Sequence, residues 1–161
     1  MTTMWRKIVR TGRVAEPAPE RPDGEVPEQA AELAGSVQIR HVDAGSCNGC
    51  EVEIASAFGP VYDAERYGAR LVASPRHADA LMVTGPVTRN MEMALRRTHD
   101  AVSEPRLVIA LGDCARDCGV FAGAYGVAGA VRDVVDVDVE VPGCPPRPEA
   151  IVAALRGLTG R

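Results

Sequence analysis

Apolar and polar positions fall along the chain in two rhythms. Val37 to Val42, Ala69 to Ala73, Ala78 to Gly85 and Leu107 to Leu111 are short segments rich in Val, Leu, Ile and Ala. Each runs out at or near Gly, Pro or Ser, as strands do at turns. Leu107 to Leu111 is apolar at every position, which predicts a strand buried on both faces of a sheet. Asp136 to Val141 alternates acid with Val, the mark of a half-exposed or edge strand. Between the strands the period changes. Met91, Leu95, Thr98 and Val102 recur at helical spacing, with Arg89, Glu92, Arg96 and Asp100 on the other faces, and Pro105 closes the segment. Glu51 to Phe58 reads as the opening turns of a helix broken by Gly59-Pro60. Pro148 sits at a favoured first-turn position for a final helix over Glu149 to Leu158, with Gly157 or Gly160 near its end. Val61 to Tyr67 is ambiguous. Ala115 to Arg132, with four spaced glycines, predicts a long, partly ordered loop and one short helix near Val127 to Arg132. Strands alternating with helices predict an α/β fold: a mostly parallel, flavodoxin-like sheet with right-handed crossovers, flanked by helices.

The first part of the chain does not fit this pattern. Met1 to Val14 carries Arg6, Lys7, Arg10 and Arg13 with no acid, and Trp5, Ile8 and Val9 can share one face of a short helix. That reads as a docking arm or as a frayed basic tail, since isolated helices of this length are marginal in water. Glu16 to Glu28 holds Pro17, Pro19, Pro22 and Pro27 among acids, a linker composition. We therefore divide the chain into residues 1–35, arm plus linker, and residues 36–161, one α/β domain. Composition narrows its roles. With 161 residues, 46% of them hydrophobic, one core can form, while 4% aromatic residues and a formal charge of -4 lack the stacking and basic footprint of a nucleic-acid binder. No run of about 18 apolar residues marks a membrane span, and the first residues lack the apolar core of a secretory signal. A reducing compartment is expected, where spaced cysteines serve as metal ligands or catalytic groups more often than as disulfides.

The cysteines concentrate the chemistry. Cys47 and Cys50 lie in Gly45-Ser46-Cys47-Asn48-Gly49-Cys50-Glu51, directly after the first predicted strand. Cys114 follows the strand at Leu107 to Leu111 through Gly112-Asp113, and Cys144 follows Val137 to Val141 through Pro142-Gly143. All four are then expected at the carboxyl edge of one sheet, where open α/β folds keep their ligands. A C-x-x-C loop lets both sulfurs face one centre, and four thiolates on three loops form a cage suited to an iron-sulfur cluster. Zinc held by Cys47, Cys50, Cys114 and Cys118 is the competing reading, and would make the chain a zinc-stabilised assembly protein. Four inert, buried thiols are a third.

Together CNGCEVEI, ADALMVTGPVTRNM, ALGDCA and VPGCPPRPEAI resemble the small, cluster-bearing subunit shared by membrane-bound group 4 nickel-iron hydrogenases and respiratory complex I, over about residues 36 to 155. The arm, with RTGRVAEP, is similar to that of the hydrogenase-like branch. The resemblance implies that Cys47, Cys50, Cys114 and Cys144 bind one four-iron, four-sulfur cluster and that Cys118 is not a ligand. It implies an electron-relay subunit without its own catalytic centre, peripheral on the cytoplasmic face of the cell membrane. Its partners would be a large nickel-iron-hydrogenase-like subunit or the complex I counterpart, a ferredoxin-like iron-sulfur subunit and a membrane subunit. The C-x-x-C spacing favours the hydrogenase branch, because complex I subunits typically have adjacent cysteines there. A complex I type module beside a quinone site is the alternative.

Other candidates are weaker. Glu51 is a candidate proton relay beside the cluster loop, whereas Glu53 reads equally as a helix N-terminal acid. Asp113 either tunes the cluster by its charge or bonds a loop amide. Arg89 is expected near the same end of the sheet. His41, His77 and His99 show no ligand spacing and are assigned no role.

Overall fold

The computed structural model describes residues 2–12, 28–33 and 35–161; most of the stretch read as a linker lies outside these residues. Strands follow in the order β1 (Val37–Asp43), β2 (Ala69–Leu71), β3 (Ala80–Thr84), β4 (Val87–Thr88), β5 (Leu107–Leu111), β6 (Val127–Gly129) and β7 (Val139–Val141). Five form one parallel sheet, ordered β2-β1-β3-β5-β7, while β4 and β6 pair antiparallel in a separate ribbon. With the ribbon set aside, this is the 2-1-3-4-5 order of flavodoxin-like sheets. The helices are α1 (Thr2–Thr11), α2 (Glu28–Ala31), α3 (Gly49–Ala57), α4 (Arg89–Asp100), α5 (Asp113–Asp117) and α6 (Pro148–Thr159).

The strand period of two divides the interior into two cores. Ile39, Ala80, Met82, Leu107, Ile109 and Leu111 face one side, where Ile54 of α3 and Ile151, Leu155 and Leu158 of α6 cover them. Leu81, Val83, Val108 and Ala110 face the other, against Leu95 of α4, Ala115 of α5 and Val131. Burying each large aliphatic side chain is worth about 1.5–3 kcal/mol, so α6 is anchored by its three alone. Its ends match expectation: Pro148 begins it, and Gly160, at φ 68°, ends it with its N–H on the Arg156 carbonyl. Ala30 of α2 is buried in the first core and Leu33 packs against it. Core packing thus reaches back past Ser36.

Several elements differ from the sequence expectation. Val127 to Arg132 is not a helix; it is strand β6 followed by a 3-10 turn at Val131–Asp133. Pairing with β4 holds Val127–Gly129 extended, and the Asp133 carboxylate accepts the Ala130 N–H at 2.8 Å, capping the 3-10 turn that follows. The expected loop before it contains α5 and a 3-10 turn at Gly119–Phe121. The sheet pairing of β7 covers only the end of Asp136 to Val141, at the sheet edge as its alternation predicted. Asp138 Oδ2 accepts the Val108 N–H at 2.7 Å, and Asp79 Oδ2 does the same for Gln38 at 2.8 Å. Both acids therefore supply acceptors to backbone amides where strand pairing starts.

Candidate metal centre

Register decides where the loops go. Asp43 pairs with Thr84, Thr84 with Leu111, and Leu111 with Val141, so four strands end in one row. The loops carrying Cys47 and Cys50, Cys114, and Cys144 leave β1, β5 and β7 side by side. They are then tied together. Asp113 N–H donates to the Gly143 carbonyl at 2.9 Å, and Gly143 N–H donates to Asp113 Oδ1 at 2.8 Å. This reciprocal pair joins the Cys114 loop to the Cys144 loop. Asp113 makes the loop-amide bond read for it in the sequence, and its charge also bears on Cys114.

The first loop is shaped by side chains acting on its own backbone. Asp43 Oδ1 accepts from the N–H groups of Gly45 and Ser46 at 2.9 and 2.7 Å, an Asx turn. Ser46 Oγ accepts the Asn48 N–H at 3.0 Å and donates to Glu51 Oε2 at 2.6 Å. Asn48 adopts the left-handed conformation, φ 73°, before α3 begins.

Cys47, Cys50, Cys114 and Cys144 line one cavity of about 170 Å³, together with Gly49, Gly85, Gly143 and Pro145. Cys50 is buried, Cys114 half-buried, and Cys47 and Cys144 exposed. Burial pushes the Cys50 thiol up to about 12, with Glu51 and the other three cysteines adding to the rise. Cys114 is raised as well, by burial first and then by Cys144, Cys47 and Asp113. The Cys50 and Cys114 thiolates are therefore disfavoured, by burial first and by neighbouring negative charge second, until positive charge enters, as in a cation-binding cage. The position of Cys50 depends on Gly112. Its φ is 89°, and a Cβ there would stand 2.8 Å from Cys50 Sγ. Among the described residues no three Cys, His, Asp or Glu side chains converge closely enough to hold a single ion. The cysteines that line the cavity are soft sulfur donors, and they fit a thiolate-bound cluster.

Cys118 stands apart from this set. It caps α5 in the left-handed conformation, φ 68°, does not line the cavity, and its raised pKa comes from burial, Asp133 and Asp117. Arg89 opens α4 and does not line the cavity either. Glu51 does belong to the site's surroundings, in a network that sequence reasoning missed. Its carboxylate accepts from the Ser46 and Thr84 hydroxyls, His41 Nε2 lies 3.5 Å from it, and His41 and Thr84 are 2.9 Å apart. Burial lowers the His41 pKa, with Glu51 and Asp43 opposing. Thr84 had a visible signal, as a polar residue ending an otherwise apolar strand. Nothing local distinguished His41.

Comparison with known proteins bears on this arrangement. The family model described as NADH ubiquinone oxidoreductase, 20 Kd subunit, matches residues 47–158. A probable membrane-bound hydrogenase subunit of Pyrococcus furiosus is 47% identical over 120 residues, covering 74% of this chain and 72% of the relative. Formate hydrogenlyase subunit 7 of Escherichia coli is 41% identical over 138 residues, 83% of this chain and 54% of the relative. A chain of the membrane-bound sulfane sulfur reductase, an archaeal respiratory membrane complex, superposes with a TM-score of 0.70 at 30% identity, over 81% of this chain and 72% of that one.

Proposed function

The chain belongs to the NADH ubiquinone oxidoreductase 20 kDa subunit family, and from that premise we propose that it is the electron-relay subunit of a membrane-associated, hydrogenase-like oxidoreductase complex. One observation carries the reading: four cysteines from three strand-end loops line a single cavity at the carboxyl edge of the sheet. Cys47, Cys50, Cys114 and Cys144 would hold one four-iron, four-sulfur cluster there. When bound, such a cluster takes up and releases single electrons. The remaining work falls to the chain. The Asp113–Gly143 pair holds two ligand loops at fixed separation, and buried Cys50 closes the inner side against water. Exposed Cys47 and Cys144 leave the outer side open to a partner. Glu51 is the proposed proton relay, because its carboxylate links the half-exposed His41 and Thr84 to Ser46 in the cluster loop.

The partners proposed are a large catalytic subunit of nickel-iron-hydrogenase type, a ferredoxin-like subunit and a membrane subunit. Catalysis itself resides in the large subunit. Supporting the hydrogenase branch are the C-x-x-C spacing and the relatives named as hydrogenase and formate hydrogenlyase subunits. The family description supports a second reading, a quinone-reducing module of complex I type. Hydrogen evolution against quinone reduction by the purified complex separates the two.

The relay reading is tested by anaerobic reconstitution of the chain with iron and sulfide, metal analysis, and EPR of the reduced protein. About four irons per chain are expected, with the signal lost or altered in Cys144→Ser and retained in Cys118→Ser. One tightly held zinc that ignores Cys144 and needs Cys118 would overturn it in favour of the zinc-stabilised assembly protein.

A further inference from the structure

α1 takes no part in either core, yet it is strongly two-sided. Met4, Trp5, Ile8 and Val9 are each more than half exposed, and the helical period gathers them into one stripe. Thr3, Arg6, Lys7 and Arg10 occupy the opposite side, and the first acidic residue of the chain, Glu16, lies beyond the helix. We infer that α1 is an anchor that lies in the surface of an anionic phospholipid bilayer. A ten-residue helix is half the length needed to cross the hydrocarbon core, about 20 residues, so it can only lie along the surface. A protein groove would need an apolar floor and a matching row of acids opposite the three cations. An anionic bilayer satisfies both sides at once: acyl chains receive the stripe, phosphates receive the basic residues, and a border tryptophan sits at headgroup level. A short helix with only one of these signals would bind marginally, whereas stripe and charge together give the two that stable anchoring takes. The inference goes beyond the electron-relay reading and does not depend on it.

Trp5 is the single tryptophan of the chain, so tryptophan emission reports α1 alone. The full chain is titrated with vesicles of phosphatidylglycerol and phosphatidylcholine, and separately with phosphatidylcholine alone. A blue shift and co-sedimentation are expected with the anionic vesicles only, both falling as salt rises. The Arg6→Gln/Arg10→Gln double variant should bind about thirtyfold more weakly, at about fivefold per basic residue near an anionic surface. Ile8→Asp should abolish the shift. Both variants change exposed positions outside the cores, so the fold is preserved. Unchanged emission with anionic vesicles, equal shifts with both vesicle types, or a shift seen only on adding the large catalytic subunit would each overturn the inference. No cluster is needed for the readout, so its failure is distinguishable from failure of the relay reading.

Discussion

Gly112→Ala is the sharpest test of how the cavity is made. Gly112 sits at φ 89°, ψ 160°, a region that is essentially glycine-only and costs other residues about 1–3 kcal/mol. The added methyl would also stand 2.8 Å from Cys50 Sγ and 3.3 Å from the Gly143 carbonyl oxygen. Overpacking of this kind costs a further 1–3 kcal/mol or so. A total of about 2–6 kcal/mol is a large share of a domain's usual 5–15, and it falls at the contact between two ligand-bearing loops. The matched control is Gly157→Ala on α6, where φ is not positive and nothing lies within 4 Å of the new atom. That change should be neutral or stabilising by about 0.5–1 kcal/mol, because it only removes glycine's freedom in the unfolded chain. Equilibrium urea unfolding of the metal-free variants gives the stabilities, and iron per chain after reconstitution gives the consequence for the site. Gly112→Ala should lose stability and iron while Gly157→Ala loses neither. Equal stabilities, or full iron retention by Gly112→Ala, would refute the steric argument.

Two further outcomes follow from the same geometry. Asp113→Ala leaves the Gly143 N–H without its acceptor and should cost about 1–3 kcal/mol in thermal or urea unfolding, with Asp113→Asn, which keeps an oxygen, losing less; equal losses would mean the bond to Gly143 is not what matters. The Cys50 thiol, raised from 9.0 to about 12, keeps its proton longer in the folded chain than in the unfolded one. The metal-free protein should therefore lose stability as pH rises from about 9 towards 12, and Cys50→Ala should flatten that slope; a variant as pH-sensitive as the parent would count against the assigned cause.

Legibility in the sequence tracked how local each feature is. Leu107 to Leu111 was readable as a doubly buried strand because all five side chains must leave water, and it matches β5. α6 was readable because Pro148 and Gly160 carry their backbone preferences wherever they occur. The missed pieces were β4, β6 and the short helices around Cys118, whose hydrogen bonds come from partners elsewhere or from single side chains such as Asp133. Sequence period has nothing to register there.

The sequence by itself determined the strand runs, the parallel α/β class with its flavodoxin-like order, and the C-x-x-C spacing that puts Cys47 and Cys50 on one loop. Each follows from burial or backbone chemistry within a few residues. Only the tertiary structure decided that Asp43, Thr84, Leu111 and Val141 end in one row, bringing Cys114 and Cys144 to the first pair while Cys118 stays out. It also made His41 and Thr84 neighbours of Glu51. The reason is register: the pairing of strands far apart in the chain sets which loops meet, and that pairing is selected by the two cores as a whole rather than by any segment alone.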